Sequence, residues 1–443
     1  MCGIMITKGS YKGQMKHRGI KTHKKNIQEL DFIHEHLPIQ STIKDNPIIE
    51  TKNHIILFNG ELFDIPKEFD NDLDFIRSIW KDDFWDNTDQ INRIFNTDGF
   101  YSFILYNKIS KEITVFTDPL GKKQLYYSDS SIASEIRGLY DPSMTEDKLF
   151  TAHTIKFGYV TNDRTPYNEI KRLLPNRIYK FDKSLNLISA SKPIYPIEPN
   201  DDISLFNPGY RSEIVSKIIE QAVKNRVDGH EKIGLLLSGG LDSSIIYYHV
   251  KKLGYEVTTY CVDNEDDLKY AKMLDPNVVT IPKGLDFIDR VFTPLEVMEM
   301  PVDLGSMNAQ FALFAKVKET VILTGDGADE IFGGYKRMNQ YDSQYSDIFD
   351  ELPFYHNIRL DRMSMWYTKE VRSPFMALDI VKYAMGLPYN DRINKAALRR
   401  TYIGILPSSI VNRPKEPLKS DSVRKTDPIE YRSNLVKQFK ELK

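Results

Sequence analysis

A chain of 443 residues is too long for one hydrophobic core, so two domains are expected. Hydrophobic residues at 41% and charged residues at 28% fit a globular protein, and a net charge of -2 gives no footing to a nucleic-acid or anionic-membrane partner. The only two cysteines, Cys2 and Cys261, exclude a disulfide framework and a four-thiolate zinc site, which points to a reducing compartment.

The opening Met1-Cys2-Gly3-Ile4-Met5-Ile6-Thr7 lacks the basic start and long apolar stretch of a signal peptide. No later run is apolar enough to span a bilayer, so a cytoplasmic protein is expected. The Lys-rich stretch 16–25 reads as solvated surface.

Strand-like runs occur at 55–58, 103–106, 113–116 and 125–127, and Asp118-Pro119-Leu120-Gly121 has the chemistry of a tight turn between two of them. Pro193, Pro196 and Pro199, followed by Asn200-Asp201-Asp202, predict an extended connector. The expected division is therefore a first domain over 1–190, a linker over 191–207 and a second domain over 208–443.

Beyond the connector the pattern alternates. Ile214, Val215, Ile218, Ile219, Ala222 and Val223 repeat at helical spacing. A strand over 233–237, a Gly-rich turn and a helix over 245–253 stopped by Gly254 follow. Strand signals return at 257–262 and 321–323, so the second domain predicts a parallel sheet.

The turn Ser238-Gly239-Gly240-Leu241-Asp242-Ser243-Ser244 joins a buried strand to a helix. Its glycines let the backbone approach a ligand, and its amides and hydroxyls at a helix N-terminus suit phosphate. Asp242 adds a hard oxygen for Mg2+. Because the Gly-Lys-Ser/Thr ending is missing, this is not a Walker loop. A second cluster, Thr324-Gly325-Asp326-Gly327-Ala328-Asp329-Glu330, follows the strand at 321–323. An Asp-Gly pair alone is a turn, but two such loops at strand ends would face one crevice. There Asp329 completes the Mg2+ shell opposite Asp242, and Asp326 touches the reacting carboxyl or ammonia. Lys415, in Arg413-Pro414-Lys415-Glu416, supplies a cation for the departing pyrophosphate.

Cys2 becomes useful if Met1 is removed. The freed α-amine, with an ordinary pKa of about 7.7–8.0, then serves as base for its own thiol. Asn59 and Gly60 offer an amide side chain and a glycine N–H to an oxyanion. Glu61 and Asp98 are the carboxylates expected to grip the α-ammonium of a free amino acid.

Together these residues resemble glutamine-hydrolysing asparagine synthetase, over nearly the whole chain. Met1-Cys2-Gly3-Ile4, His17-Arg18-Gly19, Asn59-Gly60-Glu61, Asp98-Gly99, 118–123 and Ala133-Ser134-Glu135-Ile136 are similar to the family's class II glutaminase domain. Phe157-Gly158-Tyr159 and Leu174-Pro175 are similar to its exit. The stretches 238–244, Asp267-Leu268-Lys269, 324–330, Asp361-Arg362, Glu370-Val371-Arg372-Ser373-Pro374-Phe375 and Lys415 are similar to its synthetase domain.

The resemblance implies an α+β N-terminal-nucleophile αββα sandwich followed by an α/β parallel-sheet ATP pyrophosphatase (adenine nucleotide α-hydrolase-like) domain. It implies that Cys2 attacks glutamine, that Asn59 and Gly60 hold the oxyanion, and that ammonia travels internally to a β-aspartyl-AMP made from ATP and aspartate with Mg2+. By position, Leu236, Ser238, Gly239, Gly240, Asp242, Ser243, Ser244, Val262, Thr324 and Gly325 would contact ATP. The expected partners are glutamine, ATP and aspartate, with a homodimer as the candidate assembly and neither nucleic acid nor membrane.

Three departures stand out. In His34-Glu35-His36-Leu37 a histidine takes the place where the family carries an arginine for the glutamine α-carboxylate, so His36, partly charged near pH 7, is the expected contact. Ile20-Lys21 replaces the family's Pro-Asp, and Asp326 stands where some members have Glu. Two rival readings stay open: the same chemistry on another carboxylate, and a catalytically silent binding homologue.

Overall fold

The computed structural model describes residues 2–39, 46–80, 88–193, 199–282, 293–302, 305–336, 351–414 and 427–442. Short apolar runs in the first half pair into two six-stranded antiparallel sheets. One runs Lys171–Arg172, Tyr126–Tyr127, Ser131–Ala133, Gly3–Thr7, Leu30–His36, Lys21–Ile27. The other runs Leu187–Ala190, Ile178–Phe181, Ile113–Thr117, Gly99–Asn107, His54–Leu62, Ile49–Glu50.

The strand Gly3–Thr7 shows why they stack. Ile4 and Ile6 face one way, into a core shared with Ile55, Leu57, Ile104 and Val115 of the other sheet. Met5 faces the other way, into a second core with Phe150 of the helix Lys148–Phe157. Period-two alternation thus buries both faces of this strand. On the far side of the second sheet lie the helices Asp72–Ile79 and Thr88–Phe95, which bury Leu73, Ile76, Ile79, Ile91 and Ile94 against Phe58 and Phe103. The layers are helix, sheet, sheet, helix.

Every strand of the third sheet lies after residue 232. Its order is Val279–Ile281, Thr258–Val262, Ile233–Leu236, Val321–Leu323, Glu370–Arg372, and all four pairings are parallel. Successive strands move outward one way from Ile233–Leu236 and then reverse to its other side. The strand order therefore switches between Ile233–Leu236 and Val321–Leu323, and the two Gly-rich loops leave those two strands side by side. Helices Pro208–Val227 and Leu241–Lys252 cover one face through Val215, Ile219, Val223, Ile245 and Ile246. The two edge strands Glu370–Arg372 and Val279–Ile281 carried no sequence signal strong enough to predict. Val321–Leu323 is as short but is marked by the Gly-rich turn that follows it, which these two lack.

In the connector, Asp201–Leu205 forms a 3-10 turn rather than the extended chain expected there, and residues 194–198, Pro196 among them, lie outside the described residues. No helix among the described residues is long and apolar enough to cross a membrane.

Candidate functional sites

Cys2 sits at the mouth of the strand Gly3–Thr7, with its backbone pinned on both sides. Its N–H donates to Asn59 Oδ1 at 2.9 Å, and its carbonyl accepts from Arg18 Nε at 3.0 Å. Burial pushes the thiol pKa up; the Leu37 N–H and Arg18 oppose that shift, and the Glu370 carboxylate adds to it. A thiol held this way attacks only after a base takes its proton. Met1, whose removal would free the α-amine, lies outside the described residues.

His34, His36, Leu37, Gly60, Glu61 and Asp72 line the pocket around Cys2. Asn59 and Gly60 come from the strand His54–Leu62, at Ser102 and Tyr101 of its partner. Position 60 requires glycine: φ is +147°, and a Cβ there would lie 2.0 Å from the Phe100 carbonyl oxygen.

The carboxylates arrange themselves differently from the sequence expectation. Glu61 lines the pocket and pairs with Arg372 Nη2 at 3.1 Å. Burial raises its pKa to about 8, with Glu370 and Asp72 adding to the rise and Arg372 pulling against it. Asp98 does not line the pocket. It pairs with Arg226 (Nη1 to Oδ2, 2.9 Å) and accepts the Leu378 N–H at 3.2 Å. The second carboxylate in the pocket is Asp72, missed in the sequence. It opens the helix Asp72–Ile79, whose N-cap Asn71 accepts the Asp74 N–H at 2.9 Å. Burial lifts Asp72 to about 7, against hydrogen bonds from the Leu62 and Leu73 N–H groups. An Asn-Asp pair starting a helix was the available signal.

His36 does line the pocket, but not as a partial cation. Burial, then the neighbouring His34 and His23, hold its pKa down to about 3. His34 is likewise held to about 4 by burial. Because a carbonyl can only accept, His34 Nε2 donates to the Phe58 oxygen at 2.9 Å, leaving Nδ1 as a bare acceptor without a hydrogen-bond partner. No Lys or Arg lines this pocket among the described residues.

At the crevice of the parallel sheet, Gly239 has φ +65°, and a Cβ there would lie 2.4 Å from Tyr270 Cβ. The turn is tight because nothing larger than hydrogen fits. Ser243 and Ser244 Oγ donate to the Gly240 carbonyl at 3.3 and 2.7 Å, and Ser238 Oγ lies 3.3 Å from Ser243 Oγ. The second loop touches the first: a Cβ on Gly325 would lie 2.8 Å from Asp242 Cβ. Thr324 Oγ1 bonds Asp326 Oδ2, and Arg359 Nη2 stands 3.9 Å from Asp326 Oδ1. Leu236 ends the central strand and Val262 the adjacent one. Arg413 reaches the Ser238 carbonyl at 3.1 Å and Asp267 at 2.6 Å. Its near neighbour Lys415 lies outside the described residues.

Asp242 and Asp329 converge. Both reach one cationic atom, the Nζ of Lys395, at 2.6 and 2.5 Å respectively. Among the described residues no group of three or more His, Cys, Asp or Glu is arranged to hold a metal. Two carboxylates suit Mg2+ all the same, since it binds through one or two of them together with substrate phosphates and water.

The two sites meet in one strand. The Arg372 carbonyl accepts the Thr324 N–H at 3.1 Å beside the crevice of the parallel sheet, while its guanidinium holds Glu61 in the Cys2 pocket. Arg226 and Arg372 both stack on the ring of Phe63, at 4.3 and 5.2 Å.

A model of the asparagine synthase family matches residues 215–359 and 339–441, and a model of a glutamine amidotransferase domain matches 88–190. The chain is 26% identical over 374 residues to the probable glutamine-hydrolysing asparagine synthetase of Acanthamoeba polyphaga mimivirus, covering 76% of this chain and 66% of that one. It is 26% identical over 368 residues to the asparagine synthetase of Mus musculus, covering 72% and 63%. With a putative asparagine synthetase of Methanocaldococcus jannaschii it shares 25% over 413 residues, covering 84% and 72%. The chain thus spans just under two thirds of the length of the mimiviral and mouse relatives. With the synthase model alone taking in more than half of its residues, the chain belongs to the asparagine synthase family.

Proposed function

We propose that this chain is a glutamine-dependent asparagine synthetase, converting aspartate, ATP and glutamine to asparagine, AMP, pyrophosphate and glutamate. The observation that carries the reading is the pairing of a buried Cys2 pocket with a two-loop phosphate crevice, joined through Arg372.

In this mechanism the Cys2 thiol loses its proton to the α-amine freed by Met1 removal and attacks the glutamine amide. The Gly60 N–H and the Asn59 side chain stabilise the oxyanion; losing one such donor costs roughly 10²–10³ in rate. Glu61 with Asp72, in place of Asp98, accepts the α-ammonium. The amide leaves as ammonia and water hydrolyses the thioester to glutamate. In the crevice, the amides of 239–244 and the loop after Thr324 hold the triphosphate, while Asp326 orients the ammonia or the carboxyl. Asp242 and Asp329 would hold Mg2+, which when bound neutralises charge on the phosphates. Lys415 is assigned to the leaving pyrophosphate. The division at 191–207 separates the two activities, and the free thiols of Cys2 and Cys261 suit a cytoplasmic setting.

Pyrophosphate release with ATP, Mg2+ and ammonium, screened over carboxylic acids, tests the reading. Release that requires aspartate supports it; release with another acid alone moves the acceptor, and none with any acid sinks the synthetase.

A further inference from the structure

Lys395 is built into the acidic end of the nucleotide crevice. Its Nζ lies 2.7 and 2.6 Å from the two oxygens of Asp242 and 2.5 Å from Asp329 Oδ1, and the side chain is buried. The backbone that delivers it is unusual. Asn394 and Lys395 are consecutive left-handed residues, with φ +54° and +56°, a conformation non-glycine residues keep only where the surroundings impose it. Here the Asn394 N–H donates to the Gly333 carbonyl at 2.8 Å and the Lys395 N–H to Phe332 at 3.0 Å. Gly334 closes the clamp: a Cβ there would lie 2.0 Å from Asp329 Oδ1 and 2.4 Å from Lys395 Cε. A lysine on an open surface needs none of this.

The geometry has a consequence for metal loading, which rests on reading Asp242 and Asp329 as the Mg2+ seat. An ammonium bonded to both carboxylates and a divalent ion bonded to both occupy the same point between them. Mg2+ demands oxygens at about 2.0–2.1 Å, and two cations sharing that space repel strongly in a buried setting. We infer that Lys395 is the resident counter-ion of this seat and that it and the divalent cation exclude each other, so that the metal loads together with the nucleotide rather than ahead of it. The triphosphate gives the displaced ammonium a new anionic partner; free Mg2+ brings none. Lys395 acts through the metal seat and is a positioning residue here.

The experiment is a Mn2+ titration of the full chain by electron paramagnetic resonance, with and without a non-hydrolysable ATP analogue. Wild-type protein should bind Mn2+ weakly alone and tightly with the analogue. Lys395→Met and Lys395→Gln should bind Mn2+ alone about ten- to hundredfold more tightly than wild type, the size of a lost charge-assisted contact. Affinity unchanged in both variants overturns the inference. If either variant is unfolded without metal, added Mg2+ should restore its folding transition, and failure at every Mg2+ concentration also overturns it. Asp242→Asn and Asp329→Asn separate the two layers. If they leave nucleotide-dependent Mn2+ binding intact, the seat itself is misassigned; if they abolish it while the Lys395 variants behave as wild type, only the role of Lys395 fails.

Discussion

Arg18 clasps Asp361 across 343 residues of chain, Nη1 to Oδ2 at 2.9 Å and Nη2 to Oδ1 at 3.1 Å, while its Nε holds the Cys2 carbonyl. The same guanidinium bonds Glu135 at 2.7 Å, and Glu135 in turn pairs with Arg362 at 3.0 Å. All four groups are buried. Arg18 and Lys123 drive Asp361 far below the usual carboxylate range despite the opposing effect of burial. Removing one partner of such a cluster leaves the others charged and dry. Arg18→Ala is expected to destabilise the chain by about 3–5 kcal/mol, because the uncompensated carboxylates dominate. Thermal unfolding beside wild type measures this, and a loss under about 1 kcal/mol would mean that the cluster relaxes to water.

The proposed nucleophile and the proposed ligase chemistry stand on different sheets, so they should separate. Cys2→Ala is expected to abolish asparagine formation from glutamine and to leave formation from ammonium within about twofold, since it removes one sulfur atom on a different sheet from the second site. Product assays with each nitrogen source decide it. Equal loss of both activities contradicts the proposed division of labour.

His36 is neutral around pH 7, because burial, with His34 and His23, holds its pKa down to about 3. Under the proposed function, glutamine would meet no fixed positive charge from the described lining of the pocket. His36→Arg should lower the KM for glutamine by about ten- to hundredfold, the worth of a charge-assisted pair, while leaving the ammonium-driven rate alone. An unchanged KM would show that the carboxylate is held elsewhere.

Burial pushes Asp72 up to about 7 and Glu61 up to about 8, so both titrate near neutral pH. Both values are raised above those of the unfolded chain, so the native state binds more protons and stability falls as pH rises from about 4 through the folded values. Asp72→Asn removes one such group. The melting temperature of the variant relative to wild type should therefore climb between pH 4 and 7. A difference that stays constant over this range contradicts the raised value. Binding runs the other way: ionised carboxylates favour an α-ammonium, so wild-type glutamine KM should fall from pH 6 to 8, and less so in Asp72→Asn.

The strand runs at 55–58, 103–106, 113–116, 233–237, 257–262 and 321–323 and the helices around 214–223 and 245–253 were readable in advance because each rests on short-range patterns, whereas the helices Asp72–Ile79, Thr88–Phe95 and Glu265–Leu274 were not read from the sequence. A continuous apolar run at 55–58 marks the strand His54–Leu62, 3.6-residue spacing marks the helix Pro208–Val227, and glycines mark the turns at Gly239 and Gly254. The loops 238–244 and 324–330 could be assigned to one crevice because a parallel sheet brings the ends of neighbouring strands together. What no local pattern contains is the partner of a charge. Asp98 and Asp72 look alike in the sequence, each at the edge of a regular element. Only the folded chain turns one toward Arg226 and the other toward Cys2. His36 carries an ordinary imidazole, and it is burial beside His34 and His23 that makes it neutral. Lys395 met Asp242 and Asp329 through loops far apart in the chain. Motif spacing is set by backbone geometry over a few residues, whereas protonation and ion pairing depend on the dielectric and on neighbours that tertiary packing alone supplies.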